Sequence, residues 1–174
     1  MNIKIELISE SDLADESFNI VIDGLKPRET YRVEMFLSDY YCINAPMLLA
    51  HDVLWKSTAT FVSDMNGIID ISQTPSCSGS DEDIAIMGLF FNAKPLTNKE
   101  KKLSNSLSKI PLLDHFFVEV KIMQGSTVIA ERTFTRHYMR SQISHQDIYG
   151  KHFQGRLFYD QKAIKAPALI IVSG

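Results

Sequence analysis

A period of two runs through most of this chain and restricts what it can fold into. Tyr31, Val33, Met35 and Leu37 alternate with Arg32, Glu34, Phe36 and Ser38. Trp55, Ser57, Ala59 and Phe61 alternate with Lys56, Thr58, Thr60 and Val62, and Phe116, Val118, Val120 and Ile122 with Phe117, Glu119, Lys121 and Met123. Successive side chains of a strand point to opposite faces, so this is the pattern of half-buried antiparallel strands. Further strands are expected near residues 3–8 and 18–23. Val128, Ala130 and Phe134 are expected to share one face, opposite Ile129, Glu131, Thr133 and Thr135.

The turn signals agree with this reading. Asp64-Met65-Asn66-Gly67 lies between two strand patterns, with an Asp able to bond the backbone two residues on and a Gly that tolerates positive φ. Gly125-Ser126 has the composition of a two-residue type II′ hairpin loop, and Gly24 to Pro27 is another break. Regularly spaced strands with turns between them predict an all-β fold, an immunoglobulin-like antiparallel β-sandwich over residues 1–146. Trp55 reads as its core anchor between two sheets. Residues 75–83 read as a polar loop, and residues 97–110, with Leu103 and Leu107 four apart, as exposed loop with some helix.

From about residue 147 the character changes. Residues 155–159 and 168–172 are short apolar runs flanking a polar turn, and the second is apolar on both faces, as in a strand covered on both sides. Residues 147–174 are therefore expected to open another domain, whose remaining strands would lie beyond Gly174.

Composition excludes several function classes. A net charge of −3 and a pI near 5.9 give no basic footprint for nucleic acid. Lys4 and Glu6 interrupt the only N-terminal apolar stretch, so no signal peptide can be drawn, and no apolar run approaches membrane-spanning length. A cytoplasmic protein with no membrane contact is expected. The two cysteines, Cys42 and Cys77, make no disulfide framework and are expected to be free, buried thiols.

Catalytic signals are sparse. Ser76-Cys77-Ser78-Gly79-Ser80 superficially suggests a nucleophile motif, yet it lacks the first Gly of Gly-x-Ser-x-Gly and the strand–turn–helix around it. His51, His115, His137, His145 and His152 show no metal-ligand spacing; His115 opens a strand and His137 closes one. Asp81-Glu82-Asp83 lacks a calcium-loop pattern and reads as a solvated loop. Tyr40, Tyr41, Phe90, Phe91, Phe116 and Phe117 sit in or beside strands without interleaved basic residues, so packing explains them better than base stacking. No catalytic, cofactor-binding or metal-binding residue is expected within the chain, and no cofactor is implied.

Several ordered pieces resemble one family. Phe18 to Asp23 followed by Gly24-Leu25-Lys26-Pro27 resembles an opening strand and Gly-Leu-x-Pro turn. Trp55-x-Ser57-x-Ala59-x-Phe61 and Asp64-x-x-Gly67-x-x-Asp70 carry the most specific likeness. Gly79-Ser80, Met87-Gly88-Leu89, the hairpin from Gly125 to Arg136, Gly155-x-Leu157-Phe158 and the Pro167 run follow in order. Together they resemble the N-terminal domain of acyl-CoA thioesterases and bile acid-CoA:amino acid N-acyltransferases. Residues 97–113, the stretch from Tyr40 to Leu54, and Asp160 depart from the family pattern.

The resemblance implies a non-catalytic domain preceding an α/β-hydrolase domain. A nucleophilic Ser or Cys, a His and an Asp would lie beyond Gly174 and act on an acyl-CoA thioester, by hydrolysis or by transfer to an amino acid. The partners implied are the downstream domain and the acyl-CoA of the full-length protein. Two other readings stand beside it: a stand-alone immunoglobulin-like binding module without activity, and a self-contained enzyme using Cys77 or Ser78.

Overall fold

The computed structural model describes residues 2–40, 52–79, 87–97 and 113–171. Its strands are β1 (Lys4–Ser9), β2 (Phe18–Asp23), β3 (Thr30–Ser38), β4 (Trp55–Val62), β5 (Ile69–Asp70), β6 (Ser78–Gly79), β7 (Lys94–Pro95), β8 (His115–Gln124), β9 (Thr127–His137), β10 (Ile143–Tyr149) and β11 (Gln154–Asp160). Among the described residues one single-turn helix, α1 (Gly88–Phe91), interrupts them. The fold is nearly all β, and among the described residues every pairing between these strands is antiparallel.

The chain divides into two compact units, whose described residues are those up to Tyr138 and those from Met139 onward. The first unit holds a three-stranded sheet in the order β1-β2-β5 and a larger sheet in the order β6-β4-β3-β8-β9, with β7 also paired to β4. Both sheets feed one buried cluster: Ile5, Ile20, Ile22 and Ile69 from the first, and Val33, Leu37, Trp55, Phe61, Val118 and Val120 from the second. The alternation in the sequence is the cause. In β3 and β4 every second residue, from Tyr31 to Leu37 and from Trp55 to Phe61, is buried. At one end Tyr40, Trp55, Phe90, Phe116 and Tyr138 form an aromatic cluster with ring centroids 5.1–6.1 Å apart. Such tilted and edge-on contacts add to the burial of the rings.

Burial of Ser57 breaks the apolar run of β4. Its side chain is 2% exposed, and its hydroxyl oxygen has no hydrogen-bond partner. A buried, unpaired hydroxyl costs about 1–3 kcal/mol. Ser57→Ala is therefore expected to leave the fold intact and raise stability by about 1 kcal/mol in urea unfolding; a clear loss would contradict the reading of Ser57 as unpartnered.

The structure departs from the sequence reading at several points. The register shifts between Ile122 and Met123: Ala130 pairs with Ile122 and Val128 with Met123, so Ile129 is an extra residue. This β-bulge reverses the alternation. Val128 therefore lies on the face opposite Ala130 and is 43% exposed. The polar segment around Ser78 is not wholly loop, because Ser78 and Gly79 pair with Thr60 and Ala59 along the edge of β4. Gly88-Leu89-Phe90-Phe91 forms a helical turn just before β7, so Phe90 and Phe91 lie beside a strand, with Phe90 buried and Phe91 exposed. Cys77 is free but exposed, not buried. Cys42, Tyr41, His51, Asp81, Glu82, Asp83 and the stretch 98–110 lie outside the described residues.

The second unit is a two-stranded hairpin, β10 with β11, followed by an irregular segment. Asp147 and Arg156 face each other across it in a two-pronged ion pair of 2.6 and 3.2 Å, which fixes the register. The bond from Arg156 holds the Asp147 carboxyl below the ordinary carboxylate range. The described part of the apolar run after Pro167, residues 168–171, forms no strand; Leu169, Ile170 and Ile171 are 84–86% exposed. Among the described residues, no helix is long and apolar enough to cross a membrane.

Candidate functional site

The stretch from Trp55 to Asp70 is committed to a crossing between sheets. After β4 the chain turns at residues 63–68 and enters β5, which pairs with β2 of the other sheet rather than with β4. The Asp64 carboxylate accepts the backbone N–H of Asn66 at 2.8 Å and of Ile68 at 2.7 Å. The Ile68 bond above all holds the Asp64 carboxyl below its usual range. Gly67 has φ +79°, and a Cβ there would lie 2.0 Å from the Leu25 carbonyl oxygen. Its own carbonyl accepts the Leu25 N–H at 3.0 Å, so the 24–27 and 64–67 turns are pressed together backbone to backbone.

Asp70 completes the crossing. Its carboxylate accepts bonds from Asn19 Nδ2 at 2.7 Å, from Ser72 N and Oγ at 2.9 and 2.6 Å, and from Gln73 Nε2 at 3.0 Å. Burial works to raise its pKa, but these bonds outweigh burial and lower it. Asp64, Gly67 and Asp70 therefore act as a turn and its anchor. Trp55 is 4% exposed within the core cluster.

A second constellation centres on Arg136 near the end of β9. Its side chain is 1% exposed. Nη1 donates to Ser9 Oγ at 3.0 Å and to the Ser11 carbonyl at 2.9 Å; Nη2 donates to the Glu16 carbonyl at 2.6 Å and to the Leu13 carbonyl. The guanidinium lies 5.1 Å from the centroid of the Phe18 ring. Burial pushes it below the ordinary guanidinium value, while Asp12, Glu16 and Asp15 pull the other way. Nearby, Arg132 Nη1 donates to the Ile5 carbonyl at 2.6 Å. The backbone adds His137 N to Asp12 O at 2.8 Å and Ala14 N to His137 O at 2.7 Å. Two arginines of β9 thus fasten the edge of the larger sheet to β1 and to the β1–β2 connection. A planar fork with fixed donors suits scattered carbonyls better than an ammonium would.

Among the described residues, the chemistry-bearing motifs do not assemble into a reaction centre. Ser78 lies in an edge strand, and the Cys77 backbone N–H bonds to the Thr60 carbonyl at 2.7 Å, so no strained strand-to-helix turn exists there. Among the described residues, no three His, Cys, Asp or Glu side chains are grouped so that they could hold a metal ion. Two of the histidines do meet: His115 and His137 are directly opposite in the β8–β9 register.

The comparisons with known proteins fit this geometry. The family model for the acyl-CoA thioester hydrolase/BAAT N-terminal region matches residues 15–149. The chain belongs to this family. Acyl-coenzyme A thioesterases 6 and 5 of Mus musculus are each 22% identical to it over 165 residues, covering 92% of this chain and 36% of their own length. The chain therefore spans about a third of the curated relatives it matches. The acyl-CoA thioester hydrolase/BAAT match begins at residue 15, after β1, yet Arg136 inside the match holds Ser9, Ser11 and Leu13 before it. That role was hidden in the sequence, where Arg136 stood out only as the end of a family-like hairpin.

Proposed function

We propose that this chain is the non-catalytic, immunoglobulin-like β-sandwich domain of an acyl-CoA thioester hydrolase or acyl-CoA:amino acid N-acyltransferase. Residues 1–146 form the sandwich, and residues 147–174 open a following α/β-hydrolase domain. The catalytic Ser or Cys, His and Asp lie beyond Gly174, and the substrate of the whole protein is an acyl-CoA. One observation carries the reading: the residues of the most family-like stretch, Trp55, Asp64, Gly67 and Asp70, and Arg136 at the end of the family-like hairpin, are all spent on packing and hydrogen bonds. The share of the relatives' length left unmatched leaves room for a catalytic domain. The exposed side chains of Leu169, Ile170 and Ile171 suit a strand that is covered in the whole protein. A cytoplasmic setting suits an exposed free thiol at Cys77.

Reading the gene past the codon for Gly174 tests this. A Gly-x-[Ser/Cys]-x-Gly within about a hundred residues, followed by Asp and His, is expected from the hydrolase order. A stop codon directly after Gly174 would replace it with a stand-alone binding module.

A further inference from the structure

The pairing of β8 with β9 brings together two histidines that are far apart in sequence. His115 and His137 are register partners, with ring centroids 5.9 Å apart and planes tilted by 53°. Both are half-exposed; the Asp114 carboxylate is hydrogen-bonded to one nitrogen of His115, and the Asp12 carboxylate lies near one nitrogen of His137 without bonding it. Asp114 Oδ1 lies 2.5 Å from His115 Nδ1, and Asp12 Oδ2 lies 3.7 Å from His137 Nε2. The hydrogen bond with His115 above all holds the Asp114 carboxyl below its usual range, against desolvation, which works the other way.

We propose that His115 and His137 form a two-imidazole chelate for a divalent transition-metal ion of the zinc–copper class, using His115 Nε2 and His137 Nδ1. The carboxylates leave those two nitrogens open. At His115 the carboxylate on the far ring nitrogen is the arrangement that fixes tautomer and orientation in metal-bound histidine and raises its basicity. Imidazole nitrogens about 2.0–2.1 Å from one ion place their ring centroids roughly 5–6 Å apart, which spans the observed separation. Imidazole selects zinc, copper or nickel over magnesium and calcium, which take oxygen ligands. No third His, Cys, Asp or Glu among the described residues is grouped with the pair as a ligand, so water fills the remaining positions and the ion exchanges readily. Bound metal would clasp the start of β8 to the end of β9. Through the backbone bonds of His137 it would also hold residues 12–14.

Titration of the whole chain with zinc, followed through the histidine ring signals by NMR, tests this. Both rings are expected to shift together and to saturate at one ion per chain. His115→Gln or His137→Gln should abolish the paired response. Asp114→Asn, which keeps both ligands, should weaken binding about tenfold. Rings that shift independently, that stay unshifted at millimolar zinc, or that respond equally after either histidine is replaced would overturn the site.

Discussion

Arg136→Ala is expected to destabilise the chain by about 3–5 kcal/mol, since it removes several hydrogen bonds from a charged donor, each worth about 1.5–3 kcal/mol, offset in part by the relief of a buried charge. The substitution deletes a side chain that is 1% exposed and removes the charged donor shared by the carbonyls of Ser11, Leu13 and Glu16; Ser11 keeps the Ser9 hydroxyl and Leu13 the Glu16 N–H, and Glu16 loses its donor. It also opens a cavity against Phe18 and releases the segment between β1 and β2. Arg136→Lys should recover only a small part, since a single ammonium cannot reach acceptors spread along both arms of the fork. Urea unfolding measures both variants. Hydrogen exchange at Leu13 and Ala14 should accelerate before the rest of the first unit, because those residues hang on β9 rather than on a sheet of their own. A loss below about 1 kcal/mol, the size of an ordinary surface hydrogen bond, would mean that the fork is incidental.

Gly67→Ala is the second large effect. Left-handed backbone alone costs a non-glycine residue roughly 1–2 kcal/mol. At Gly67 a methyl group must also displace the Leu25 carbonyl, 2.0 Å from the Cβ position, and with it the turn-to-turn contact that lets β4 of one sheet lead to β5 of the other. The expected total is about 3 kcal/mol or more, a size that marks backbone strain combined with overpacking. Gly125→Ala is the control. Gly125 has φ +60° in the β8–β9 loop, yet nothing lies within 4 Å of a Cβ there. Its cost should stay at about 1–2 kcal/mol, the left-handed penalty alone. Equal losses at the two glycines would show that the contact between the turns contributes nothing.

These two residues also mark how far the sequence could be read. Asp64 and Gly67 announced a turn because the chemistry is local: a carboxylate capping N–H groups two and four residues on, and a glycine at positive φ. The buried faces of β3, β4 and β8 were legible for the same reason, since alternation is set by neighbours in the chain. What stayed hidden depends on distant partners or on very short elements. Nothing near Asp64 says that the next strand joins β2, in the other sheet. The bulge at Ile129 shows only against Ile122 and Met123 across the hairpin, and it turns Val128 outward against the simple period. The Ser78–Gly79 strand is two residues long in a polar stretch, and α1 is a single turn, so neither spans enough chain to show a period. Arg136 reads as an ordinary strand-end cation until Ser9 to Glu16 fold over it. The meeting of His115 with His137 likewise exists only in the register of β8 and β9.

The measurement that bears most directly on the proposed role is CoA release from acyl-CoA substrates by the purified 174-residue chain, beside the product of the gene extended past Gly174. The extended protein should release free CoA, and the chain alone should release none above the uncatalysed background. In the extended protein, Cys77→Ala and Ser78→Ala should leave turnover unchanged, because both residues lie at or beside an edge strand with no nucleophile turn. Turnover by the 174-residue chain itself, abolished by either substitution, would contradict the assignment of the chemistry to a downstream domain.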